Sequence, residues 1–143
     1  MKTLIANSKT IQRKWYIVDA SELPVGRIAT EVANILRGKN KTTFNPSQDM
    51  GDYVVIINSD KIVLTGRKWD QKMYYKHSGY KGGLKSRTAS KLHEDDSTSI
   101  IYKAIAGMVP PTRLKTPVLS KLFIYSGNEH PHDGQKPETI SFK

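Results

Sequence analysis

The chain has 143 residues, 37% of them hydrophobic, with 23 lysines and arginines against 13 acids and a net charge of +10. That length suits one domain burying roughly 70% of the surface its unfolded chain exposes, and the charge favours polyanionic partners. The absence of cysteine excludes a disulfide framework, a thiol nucleophile and a thiolate metal site. The longest aliphatic run, Val54 to Ile57, is far short of the ~18–20 residues of a membrane span, and residues 1–7 lack the apolar region of a secretory signal. A soluble, intracellular, basic protein is expected.

In chain order, Trp15-Tyr16-Ile17-Val18 reads as a first strand. Pro24 opens a helical pattern in which Val25, Ile28, Ala29, Val32, Ile35 and Leu36 share one face. Gly38 follows where a left-handed residue would end that helix. Asn45-Pro46-Ser47 is a turn. The run Tyr53 to Asn58 lacks alternation, so both faces of that strand should be covered, completing a βαβ unit. Lys61 to Thr65 reads as a short third strand ended by Gly66, and Lys72 to Tyr75 as an extended piece. Ser78 to Gly83 reads as a glycine-hinged loop. Ser97 to Met108 puts Ile100, Ile101, Ala104, Ile105 and Met108 on one helical stripe, with Ser97 as its cap and Pro110-Pro111 as its stop. A last short strand lies within Leu119 to Tyr125, ending before Gly127, and residues 128–143 read as a polar, proline-punctuated tail. The expected organisation is an N-terminal arm over 1–12, a layered α/β domain over 13–127 and a C-terminal tail over 128–143.

The charge is concentrated. Residues 66–91 carry eight cations (Arg67, Lys68, Lys72, Lys76, Lys81, Lys85, Arg87 and Lys91) and a single acid, Asp70. An ordinary solvated face is the usual reading of lysine runs, but it leaves the missing acids unexplained. Trp69, Tyr74, Tyr75, His77 and Tyr80 interleave with these cations. Cations neutralise phosphates, planar rings stack on unpaired bases, and glycines let backbone approach a phosphodiester. Tyr74 or Tyr75 could instead be a strand residue facing the core. A second basic cluster, Arg37-Gly38-Lys39-Asn40-Lys41, ends the first helix.

Enzymatic signatures are missing. The turn after the first strand, Asp19 to Gly26, has one glycine where a dinucleotide fingerprint needs three, and no P-loop or G-x-S-x-G elbow occurs. His130 and His132, two apart, suit neither a helical metal face nor a zinc-hydrolase signature, and Asp95-Asp96 reads as a solvated loop. No cofactor, metal or small-molecule substrate is expected. The aromatic RNP signature and the KH clamp are absent too, so the residues point to an RNA-binding protein outside the standard modules.

Several segments, in order over roughly residues 13–137, resemble the bacterial-type large-subunit ribosomal protein L13 family. They are Trp15 to Ala20, Gly26 to Thr30, Leu36 to Lys41, Gly51 to Asn58 with Thr65-Gly66, Tyr74 to Lys85, Ala106 to Pro110, and Tyr125 to His132 with Gln135 and Pro137. Two places depart from the family pattern: Leu114 is followed by Lys115-Thr116-Pro117, and Gly134 stands where alanine is usual. The resemblance implies a three-layer α/β/α domain around a four-stranded, largely parallel sheet. It also implies a place in a ribosome, cytoplasmic and bacterial or else organellar, with large-subunit ribosomal RNA and neighbouring ribosomal proteins as partners and an early part in assembling the subunit. Residue by residue, it extends RNA contact to Lys76, His77, Ser78, Gly79, Gly82, Gly83 and Lys85, and to Arg27, Arg37, Lys39 and Lys41. The charge and aromatic pattern adds Arg67, Lys68, Lys72, Tyr75, Tyr80, Lys81 and Arg87. Two other functions are weighed against this one: a free-standing RNA chaperone, and a nucleotide-using enzyme.

Overall fold

A computed structural model describes residues 11–142; residues 1–10, most of the expected N-terminal arm, lie outside the described residues. β1 (Trp15–Asp19) leads into α1 (Val25–Arg37), which returns to β2 (Tyr53–Ile57). Pro24 precedes α1 with φ already at −56°, and Gly38 ends it in the left-handed region, its N–H reaching back to the last turn. After β2 come α2 (Lys68–Gln71), β3 (Met73–His77), β4 (Leu84–Thr88), α3 (Ala89–Asp95), α4 (Ser97–Met108), α5 (Lys115–Leu119), β5 (Leu122–Ile124) and β6 (Glu138–Thr139).

The main sheet runs β5-β2-β1-β6 with every pairing parallel, and helices lie around it, in line with the layered α/β class expected. Parallel pairing between β1 and β2 requires a crossover, which the amphipathic α1 supplies. Val18, Val54, Ile56 and Leu122 share one buried cluster with Ile28 and Val32 of α1 and Ile100, Ile101 and Ile105 of α4. On the other sheet face Trp15 stacks on Tyr53 at 4.4 Å and on Phe123 at 5.6 Å. Both faces of β2 are therefore covered, which explains its unbroken apolar run.

His132 closes that aromatic face. Its ring lies 4.5 Å from Phe123 and 5.1 Å from Trp15, and its Nε2 shares a 2.8 Å hydrogen bond with the Tyr125 hydroxyl. The segment read as a polar tail thus lies on the sheet, and its far end supplies β6.

Three local expectations need correction. The strand expected over Lys61 to Thr65 does not form. Asn58 turns the chain with φ at +56° and Ser59–Lys61 coil into a 3-10 turn, leaving one bridge between Val63 and Pro24. The cap of α4 is Asp96, not Ser97: its carboxylate accepts from the Thr98 N–H at 2.9 Å and from the Thr98 and Ser99 hydroxyls, each at 2.7 Å. Those hydrogen bonds hold the carboxyl below the usual aspartate range. Met108 is 40% exposed, because α4 ends there and the extended Val109 turns into the core in its place.

Candidate nucleic-acid interface

The cation-rich stretch folds into a two-stranded antiparallel hairpin that does not join the main sheet. Its strands carry few apolar side chains, so it is held from below by packing against α2 and α3. Ser78 to Gly83 forms the connecting loop, closed by the Ser78 N–H to the Gly83 carbonyl at 3.1 Å and the Gly83 N–H to the Tyr80 carbonyl at 2.9 Å. Gly79 and Gly82 sit at φ +89° and +74°, where a side chain would strain the turn. The Gly79 N–H donates to His77 Nδ1 at 2.9 Å, fixing that ring at the loop's base.

Pairing register sorts the side chains. Tyr74 is opposite Arg87, Tyr75 opposite Ser86, Lys76 opposite Lys85 and His77 opposite Leu84. Because alternate residues point to opposite faces, Tyr74, Lys76, Lys85 and Arg87 share one face, and Met73, Tyr75, His77 and Leu84 share the other. The first face is cationic. Together with Leu92, Ser99 and Lys103 its four side chains line a cleft between the hairpin and α4, which Tyr75 also borders. The second face, which Ser86 and Thr88 complete, is uncharged and open, with Tyr75 65% and Leu84 60% exposed, and Tyr80 in the loop is 81% exposed.

Like charges directly opposite in a ladder destabilise it, and Lys76 and Lys85 are such a pair. Asp95 is the one described acid that bridges to this face, at 2.7 Å from Arg87. Both ends of that bridge are about half exposed, so it contributes at most ~1 kcal/mol. A surplus of unneutralised cations at a protruding ladder fits a polyanionic ligand.

Tyr74 and Tyr75 divide as strand neighbours must. Tyr74 packs against the core with the Lys72 and Lys103 ammonium groups 5.5 and 4.9 Å from its ring centre, and burial pushes its phenol pKa up. Tyr74→Ala should therefore lower the thermal midpoint, whereas Tyr75→Ala should leave it unchanged and cost about 1–3 kcal/mol of RNA binding if the ring stacks on a base. Thermal melts and RNA titrations of the two variants check this; a destabilised Tyr75→Ala would remove that ring from the interface.

The remaining candidate residues are dispersed. Arg67 and Lys68 begin α2 beside the hairpin, with the Lys68 ammonium 3.0 Å from the Thr65 hydroxyl, and Lys81 is exposed in the loop. Arg27 is exposed on the first turn of α1, while Arg37 and Lys39 lie at that helix's other end, ~15 Å along its axis. Lys41 is committed to the fold: its ammonium contacts the fully buried Asp52 carboxylate at 2.6 Å and the Gln12 carbonyl at 3.2 Å. The cations thus form two separate groups, one on the hairpin and one at the C-terminal end of α1, with Arg27 apart from the second at the other end of that helix. Lys103 joins the first group without any signal in the sequence, since only the folding of α4 beside the hairpin brings it there. Among the described residues no cluster of His, Asp and Glu is placed to hold a metal ion.

The family model for ribosomal protein L13 matches residues 13–131. The chain is 51% identical over 140 residues to the large ribosomal subunit protein uL13 of Acholeplasma laidlawii, covering 98% of this chain and 99% of that one. It is 49% identical to the proteins of the same name from Pelobacter propionicus and Mycoplasmopsis synoviae, over 99% of each chain. The chain belongs to the ribosomal protein L13 family, a structural and non-enzymatic family.

Proposed function

We propose that this member of the ribosomal protein L13 family works in the large subunit of a cytoplasmic, bacterial ribosome by binding large-subunit ribosomal RNA and supporting the subunit's early assembly. The observation that carries this reading is the two-faced hairpin. Lys76, Lys85 and Arg87 meet a phosphate backbone on one side, while Tyr75, His77 and Leu84 offer flat apolar surface to bases, ribose or a neighbouring ribosomal protein on the other. A hairpin with these two faces, lodged between RNA segments, holds them in register without turnover. Arg67, Lys68, Lys72 and Lys81 extend the phosphate contacts around the hairpin, with Ser78, Gly79, Tyr80, Gly82 and Gly83 at its tip. Arg27, Arg37 and Lys39 meet RNA on the α1 side. Lys41 is better read as a half-buried anchor of the loop that carries Lys39. None of the described helices is long and apolar enough to cross a membrane.

Sedimentation of a lysate through sucrose at moderate and high salt, probing for this chain, tests the reading. Co-migration with the large subunit after the salt wash is expected. Recovery at the top of the gradient would favour a free-standing RNA chaperone, and saturable mononucleotide binding at high salt would favour an enzyme.

A further inference from the structure

A groove lies at the C-terminal end of α1, between the 39–50 loop and the 109–115 segment that joins α4 to α5. Its walls are apolar: Phe44 on one side, with Val109, Pro110, Leu114 and Val118 on the other. Two cations, Arg37 and Lys115, line it and no acid does. The Arg37 guanidinium lies 6.0 Å from the centre of the Phe44 ring.

An aliphatic side chain from a protein neighbour would satisfy the apolar walls and leave the cations unanswered. A nucleotide answers both. Its base is planar and stacks on Phe44 against the apolar wall, and its phosphate faces Arg37 and Lys115. We propose that this groove seats one unpaired base of the bound RNA. The inference rests on the RNA-binding reading above and adds to it a base seat separate from the hairpin.

The test irradiates native large subunits with short-wave ultraviolet light and maps nucleotide adducts on the full chain. An adduct on Phe44, within the tryptic peptide 42–61, is expected. In parallel, Phe44→Ala and Leu114→Trp, each checked for native circular dichroism, should weaken binding to large-subunit ribosomal RNA about 10- to 100-fold with an unchanged salt slope. Adducts confined to the hairpin, with both variants binding normally, would overturn the base seat and leave the RNA reading standing. Tight binding of AMP, GMP, CMP or UMP that persists in the presence of the RNA would overturn the assignment to RNA. No adduct anywhere, together with salt-independent binding, would overturn the RNA reading itself.

Discussion

Lys121→Met should lower the unfolding free energy by about 3–5 kcal/mol, the cost of breaking a buried ion pair from one side. Lys121 is 2% exposed at the start of β5, and its ammonium donates to the Asp49 carboxylate at 2.5 Å and to the Leu36 carbonyl at 2.9 Å. That carbonyl belongs to the last turn of α1, so one cation ties the helix end, the 39–50 loop and the sheet together. Gly51 lies in the same junction, where an added Cβ would fall 1.7 Å from the Leu36 oxygen and 2.8 Å from the Lys121 nitrogen. Methionine fills the space but donates nothing, leaving Asp49 the longer contacts to the Arg13 guanidinium at 3.5 Å and the Gly51 N–H at 3.4 Å. Burial pushes the Lys121 pKa down, and the hydrogen bond and charge of Asp49 only partly oppose it. The unfolded chain then holds this proton more tightly than the native one. Native stability therefore gains from this group as pH rises from the folded pKa toward the ordinary lysine value, a gain the methionine variant lacks. Urea unfolding of both proteins at neutral and alkaline pH measures this. An unchanged midpoint at neutral pH would show that the pair contributes nothing.

The elements that periodicity revealed are those packed on a large core. α1 repeats apolar residues every three or four positions because one side meets the sheet, and β2 loses alternation because both its faces are covered. β4 reads Leu84-Lys85-Ser86-Arg87-Thr88, with one apolar residue, and so carries no strand pattern. Its conformation comes from pairing with β3, a long-range fact that composition does not encode. β6 was hidden for a related reason, since a two-residue edge strand needs no apolar run. His132 looked incidental because its partners, Trp15 and Phe123, come from distant strands. At the candidate site the charge surplus and the aromatic interleaving were legible, whereas their division between two faces depends on register. The contact of Lys41 with Asp52 is not legible in the sequence, because a lysine beside a buried aspartate 11 residues away has the same letter as one facing solvent.

Removing three hairpin cations together should produce the largest loss of RNA binding. With six to eight phosphates neutralised, the wild-type slope of log affinity against log salt should be roughly −4 to −7. Each released counterion adds about 0.7–0.9 to that slope, so Lys76→Ala, Lys81→Ala and Lys85→Ala combined should flatten it by about two to three and weaken binding roughly 100-fold near 0.1 M salt. Stability should move the other way. Lys76 and Lys85 repel across the ladder, so their removal should raise the unfolding free energy by a few tenths of a kcal/mol and the thermal midpoint slightly. The two readouts separate function from architecture: a solvated face predicts unchanged binding, and a structural role predicts a lower midpoint. Binding lost and stability kept or gained is the signature of charges held in an unfavourable arrangement because an external polyanion relieves it. Salt-titrated RNA binding and melting of the same triple variant decide among the three. A slope unaltered by the triple variant would sink the electrostatic account of this hairpin.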